Sequence, residues 1–442
     1  MMRWIGFCVG LTLLLGTTST ALALESREFR LDNGLKGVVV RESKAPVVIV
    51  QTWYRVGSAD EKPGKGGLSH MLEHMMFQGT ENLEPEEFSR LVAQEGGEDN
   101  ASTTNDYTMY YIKLSADRAE LALKLEAERM GSLLLAQEEF DAENLVVREE
   151  RRVRIDADPN QRMLERYRTL AYGEHPYGRP VIGRMDEIAA LTLDDLKAWY
   201  QSYYAPNNAT IVVVGDVDPK QIEEWIRTHF DSLAAQPAPP RPRLPDPPRR
   251  TKPERLEVSD KLAKLPIWIA GYPVPGMAMP ASIEDALALD VLAVILGHGS
   301  TSRLHQRLVR DLGVAVSTSA SYSGFSASWE LFSISAMPKP GADLRAIETV
   351  IFQEVERLTK EPVTARELEK ARNGLIAEQV YSQDSIERIA WIIGRMTTNG
   401  LDWRLMLDDY PKRVRTVTSA AVQRVAARYL QSEGVTIGIL KP

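Results

Sequence analysis

The sequence predicts an α+β fold built twice. Three observations carry that reading. A proline-dense segment divides the chain in two, the ends of the two halves superimpose without a gap, and strand runs are mixed with a hairpin and long helices. The last of these favours an α+β layer in each half over a doubly wound parallel sheet. At 442 residues the chain is also too long for one ordinary core.

The elements of the first half follow in order. Residues 28–42, "EFRLDNGLKGVVVRE", read as two strands around an Asp32-Asn33-Gly34 turn, and 46–58 as a third strand. Helices are expected over 67–78 and 84–95, then a strand over 106–114 and long helices near 117–135 and 138–155. The dividing segment is "QPAPPRPRLPDPPRRTKP", 236–253, in which eight of eighteen residues are proline. Proline suits neither a helix interior nor a central strand, so this stretch reads as a stiff, extended linker between 24–235 and 254–442. The repeat lies at the end of each half: 191–214 can be laid on 417–440, so that Thr192 meets Thr418, Leu196 meets Val422, Tyr203 meets Tyr429 and Thr210-Ile211 meets Thr436-Ile437. Each copy reads as a Thr-started helix, a loop and a closing strand of branched residues, which points to duplication.

Composition is that of a globular protein, 44% hydrophobic and 26% charged. A net charge of −8 argues against nucleic acid or an anionic membrane as the main partner. The N-terminus carries Arg3, an apolar stretch from Trp4 to Gly16 and the small-residue site Ala21-Leu22-Ala23. That is the layout of an export signal over 1–23 with cleavage favoured after Ala23, an uncleaved anchor being the alternative. The expectation is a periplasmic chain with no stable membrane span after cleavage. The only cysteine, Cys8, lies inside the signal. Metal ligands in the mature chain must therefore be His, Asp or Glu.

Two of the six histidines fall within "GGLSHMLEHMMFQGT", 66–80. At 100° per residue, His70 and His74 lie one turn apart on one side of a helix and can converge on one ion. Glu73 leans toward the same face, where it can act as general base for an attacking water. The order H-x-x-E-H is the reverse of the thermolysin-like motif. A catalytic zinc needs a third protein ligand, and the carboxylate-dense helix 140–159 offers Glu143, Glu149 and Glu150. Glu143 and Glu150 are seven apart and share a face, but spacing alone leaves the ligand undecided.

This stretch resembles the zinc-binding helix of the pitrilysin family, which includes insulysin and mitochondrial processing peptidase. The resemblance extends to "GGEDNASTTNDYTMYY" (96–111), to "HPYGRPVIG" (175–183) and to the duplicated halves, and so covers essentially the whole mature chain. It implies two similar α+β domains, each an antiparallel sheet with packed helices, forming half of a clamshell. It implies one zinc held by His70, His74 and Glu150. Glu73 would be the general base and Glu143 a supporting carboxylate grouped with it in the catalytic set. It further implies that an extended peptide adds to the strand within 100–114, with Asn100 and Ala101 contacting its backbone.

In active single-chain members and homodimers of that family the C-terminal half carries an Arg and, seven residues later, a Tyr that hold the substrate and support the oxyanion. In two-chain members one chain holds the zinc motif and the other the pair. Laid on 298–321, the pattern puts Val309 and Val316 at those places. Arg310 is one residue off register with Ser317 at its +7 position, and Tyr322 is six residues late. The expectation is a zinc-dependent endopeptidase acting on extended peptides or unfolded segments, as the zinc-bearing subunit of a heterodimer whose homologous partner supplies the pair. The alternative is a non-catalytic scaffold or assembly subunit derived from the same fold.

Overall fold

The computed structural model describes residues 25–241, 244–248, 250–279 and 283–442. The expected export signal, with Cys8 and the cleavage site after Ala23, lies outside the described residues. No helix among the described residues is long and apolar enough to cross a membrane.

The first half contributes β1 (Ser26–Arg30), β2 (Lys36–Arg41), β3 (Val47–Tyr54), β4 (Glu98–Thr103), β5 (Thr108–Ser115) and β6 (Ala209–Gly215), in the sheet order β1-β2-β6-β3-β5-β4. The second contributes β7 (Glu254–Ser259), β8 (Ile267–Pro275), β9 (Ala315–Ser321), β10 (Trp329–Pro338) and β11 (Thr436–Lys441), in the order β7-β11-β8-β10-β9. In each sheet the strand that closes the repeat, β6 or β11, is inserted in the interior. It pairs parallel with β2 or β7 on one side and antiparallel with β3 or β8 on the other. All other pairings are antiparallel. The antiparallel sheet expected for each half thus needs one amendment, a parallel pair. It arises because the closing strand returns after a long helical excursion, as a parallel connection requires.

The repeat is visible in the caps. The helix Leu193–Tyr203 opens on Thr192, whose side chain accepts from the Asp195 amide, and the helix Ser419–Tyr429 opens on Thr418, which accepts from Ala421. The other helices of the first half that matter here are α1 (Leu68–Met75), α2 (Glu87–Gln94), α3 (Ala119–Gly131), α4 (Gln137–Arg151) and α5 (Pro159–Tyr172). The helix expected over 138–155 is regular only to Arg151 and then widens into a π-turn, Arg152–Asp156.

Strand alternation explains how the halves join. On β6, Ile211 and Val213 pack with Met71, Leu72 and Tyr110 beneath the helices of the first half. Val212 and Val214 face the opposite way, into a core shared with Trp268, Leu289 and Ile393 of the second half. Both faces are buried, which is why β6 reads as an uninterrupted apolar run. Each half also lends a helix to the other. The helix Ile386–Thr398 lies on the first sheet, where a Cβ at Gly394 would collide with the Trp53 indole. Helix α5 lies on the second sheet, where Tyr167 fills the space left by Gly271 and Gly438.

The described part of the Pro-rich segment is extended and fastened at both sides. Arg241 donates to Asp60 at 2.9 and 3.0 Å and to the Asp106 carbonyl at 2.8 Å, and Asp246 accepts from the Trp329 indole at 3.0 Å.

Candidate metal and catalytic centre

Helix α1 is built to present three polar side chains. Gly67 enters it at φ 88°, a left-handed conformation that glycine adopts without strain. The Glu61 carboxylate accepts from the Gly67 and Ser69 amides at 3.0 and 2.8 Å and so caps the free amides of the first turn. Burial pushes that carboxyl up to about 8, against the pull of those amides and of Arg179. Leu68, Met71, Leu72 and Met75 take the buried face, which leaves His70, Glu73 and His74 on the other side.

His70, His74 and Glu150 each offer a ligand atom, and these atoms lie within 4.8 Å of one another. Glu150 Oε2 is 3.3 Å from His74 Nε2 and 3.8 Å from His70 Nε2. It is buried and, like His70 Nδ1, finds no hydrogen-bond partner among the described residues. The other Glu150 oxygen pairs with Arg154. Glu143, half-buried on α4, contacts His74 Nδ1 at 2.9 Å and accepts from Gln78 Nε2 at 2.9 Å. Glu149 turns outward onto Arg152.

The electrostatics of this cluster call for a cation. Burial and the neighbouring His74 hold the His70 imidazole down at about 4. Burial works against a charge on His74 as well, yet the carboxylates of Glu143 and Glu150 outweigh it and lift His74 to about 9. Contact with His74 in turn holds Glu150 below its usual range. Two imidazoles and one carboxylate, converging on a carboxylate oxygen that lacks a donor, fit a zinc ion with an open coordination position. Glu73 lies beside them. Burial raises its carboxyl, and Thr103 Oγ1 at the end of β4 donates to it.

Strand β4 is a sheet edge, paired only with β5, in the register Asn100↔Tyr111 and Ala101↔Tyr110. Its residues alternate: Asp99, Ala101 and Thr103 are half-buried, while Glu98, Asn100 and Ser102 are exposed. The Asn100 side chain accepts from the Ala101 amide at 2.8 Å. A cavity of about 750 Å³ is lined by His70 and Glu150, by Thr103 and Tyr107, and by Ser323, Glu330 and Arg395 of the second half.

The residues at the expected Arg and Tyr places do not reach this cavity's lining. Val309 sits in the π-turn His305–Asp311 against the second-half core, and Val316 is 50% exposed on the edge strand β9. Arg310 pairs with its neighbour Asp311, and the Tyr322 hydroxyl donates to the Pro275 carbonyl at 2.7 Å.

Residues 37–184, which include the whole motif, match the insulinase family (peptidase family M16), and 190–375 match the peptidase M16 inactive domain. The zinc protease PqqE of Helicobacter pylori is 34% identical over 447 residues, covering 100% of this chain and 98% of that protein. This chain belongs to peptidase family M16. A crystal structure of a protease from Helicobacter pylori matches with a TM-score of 0.88 and 34% identity, over 95% of this chain and 100% of that one. A probable mitochondrial-processing peptidase subunit beta of Arabidopsis thaliana is 23% identical over 95% of this chain and 79% of its own. The M16 segment described as inactive contains both Val309 and Val316.

Of the residues expected at the site, the structure places His70, His74 and Glu150 in one cluster, with Glu143 on His74 and Glu73 beside them. Sequence reading missed Glu61, Gln78, Thr103 and Arg154. Gln78 was readable in principle, four residues beyond His74 in the same motif. Thr103 shares a strand face with Ala101, a period-2 signal that only a fixed β4 register makes meaningful.

Proposed function

We propose that this chain is a zinc-dependent endopeptidase subunit that hydrolyses extended peptides or unfolded segments in the periplasm. One observation carries the reading: the general base Glu73, the ligand set His70, His74 and Glu150, and the free edge of β4 meet at one point, through the Thr103–Glu73 hydrogen bond. Zinc bound by the three ligands supplies Lewis-acid polarisation of a carbonyl and acidification of water. The chain's own residues do the rest. The edge of β4 pairs with peptide backbone, with Asn100 and Ala101 opposite the reacting segment. Glu73 takes the proton of the attacking water and returns it to the leaving amine. Its raised affinity for a proton suits both steps, and Thr103 holds the carboxylate in place. Glu143 orients His74.

Val309 and Val316 cannot donate to an oxyanion. A homologous partner chain carrying the Arg/Tyr pair therefore completes the site, closing over this half. The experiment is a quenched, unstructured peptide assayed with this chain alone, with a candidate partner, and with Glu73→Gln in place of the wild type. Zinc-dependent turnover that requires both the partner and Glu73 is the expected result. Strong turnover by the lone chain would remove the partner from the reading. The same two valines favour a second reading, a non-catalytic assembly subunit, and unchanged biological activity of Glu73→Gln would select it.

A further inference from the structure

The cavity lined by His70 and Glu150 is also lined by guanidinium groups that make no ion pair among the described residues. Each carboxylate on its wall already has a partner: Glu150 has Arg154, Glu165 has Arg151, Asp106 has the Tyr177 hydroxyl, the Ala327 amide and Arg241 (at 3.6 Å), and Glu330 has the amides of Gly324 and Ser326 at 3.0 and 2.8 Å. Three guanidinium groups on the same wall, those of Arg168, Arg179 and Arg395, have no carboxylate ion-pair partner among the described residues, and Arg179 is tied to the Glu61 carbonyl at 2.8 Å. Arg395 projects from the helix Ile386–Thr398, and its guanidinium carbon lies 4.9 and 4.8 Å from the ring centres of Phe325 and Trp391. Among the described residues its one hydrogen bond is a long one, 3.5 Å to Ser323 Oγ, and its buried Nε finds no acceptor there. Arg168 donates to the Tyr177 carbonyl at 3.2 Å and rests on the Tyr172 ring.

A guanidinium resting against a T-shaped pair of rings, whose centres are 5.6 Å apart, is already ordered and partly desolvated. Its planar fork matches a carboxylate, so a carboxylate arriving there meets donors that need no rearrangement. Phe325 and Trp391 are both in contact with the arginine, so what this part of the wall offers an arriving group is the guanidinium's charge and its donors. We infer that Arg395, assisted by Arg168, forms a carboxylate-binding subsite that selects peptides carrying an acidic side chain or a free C-terminus away from the scissile bond. The inference rests on the peptidase reading for its ligand class, a peptide, and on the cavity for its position.

The test uses the zinc-loaded chain carrying Glu73→Gln, so that peptides bind without being cut, and measures fluorescence anisotropy. One peptide core is made with Asp or Asn at each position in turn, and with a free or amidated C-terminus. The expected result is one place, side chain or terminus, where the carboxylate binds about tenfold more tightly than its neutral counterpart, the scale of a charge-assisted hydrogen bond. That preference should disappear in Arg395→Gln and shrink in high salt. Equal binding of every Asp/Asn and acid/amide pair overturns the subsite, and so does a preference that survives Arg395→Gln. If Arg395→Gln does not fold, Arg395→Lys, which keeps the charge without the fork, should retain only part of the preference. Peptide turnover by the wild-type chain with its partner, but with no acid preference, leaves the peptidase reading standing and the subsite refuted. An Arg395-dependent acid preference without turnover does the reverse.

Discussion

Glu143 Oε2 lies 2.9 Å from His74 Nδ1, and this contact decides that His74 turns Nε2 toward Glu150. A carboxylate behind a histidine fixes its tautomer and strengthens it as a ligand. Glu143→Ala is therefore expected to weaken zinc binding by about 10–100-fold, measured by competition with a chelator of known affinity. Glu143→Gln, which keeps an acceptor but not the charge, should fall between. Unchanged affinity in both variants would reduce Glu143 to a structural contact.

Metal should also stabilise the fold by mass action, since the ligands come from two helices and are not preassembled in the unfolded chain. At a free zinc concentration about 100 times Kd the expected gain is about 2.7 kcal/mol, read as a rise in the unfolding midpoint. His70→Ala and Glu150→Gln should lose that rise, and Glu73→Gln should keep it, because Glu73 bonds Thr103 and not the ligand cluster.

His175 supplies a pH dependence outside the metal site. It is 1% exposed, bridges to Ser328 of the second half at 3.0 Å, and accepts from the Tyr177 amide on Nδ1 at 3.1 Å. Burial holds its pKa down at about 4, against 6.5 for the unperturbed group. Between those values the unfolded chain binds more protons, so the stability due to neutral His175 is complete above about pH 6.5 and is lost as pH falls toward 4. The loss amounts to roughly 3 kcal/mol by pH 4. Denaturant unfolding of wild type and His175→Asn from pH 7.5 to 4.5 checks it. The variant's curve should be flatter through that window, and parallel curves would refute the assignment.

Much of this was legible in the sequence because the signals were local. The spacing of His70, Glu73 and His74 is a property of one helix, and the caps at Thr192 and Thr418 are properties of two short segments. What could not be read depends on pairs far apart in the chain. The choice of Glu150 over Glu149 needed either the family resemblance or the rotation of α4 against α1. The parallel insertion of β6 beside β2 joins residues more than 170 positions apart, and Arg241 meets Asp60 across 181. The proline-rich segment illustrates the limit well: composition identified it as extended, but not that its arginine would anchor the turn between β4 and β5.

Two glycines in helices of the second half should respond to alanine with opposite signs. Gly374, within the helix Ala365–Ser382, is exposed and has nothing within 4 Å of an added Cβ. Gly374→Ala should therefore gain about 1 kcal/mol from helix propensity alone. Gly394 is also helical, but an added Cβ would strike the buried Trp53 indole of the first sheet. Trp53 cannot retreat freely: its ring packs 4.6 Å from Tyr107, and its Nε1 donates to Gln51 at 2.9 Å. Gly394→Ala should therefore lose about 1–3 kcal/mol as the overpacked halves are pushed apart. Because Tyr107 lines the cavity, the same change should also weaken peptide binding, whereas Gly374→Ala leaves it as it was. Thermal unfolding of the two variants side by side checks both signs, and a Gly394→Ala protein as stable as wild type would show that the contact between the halves is looser than the structure makes it.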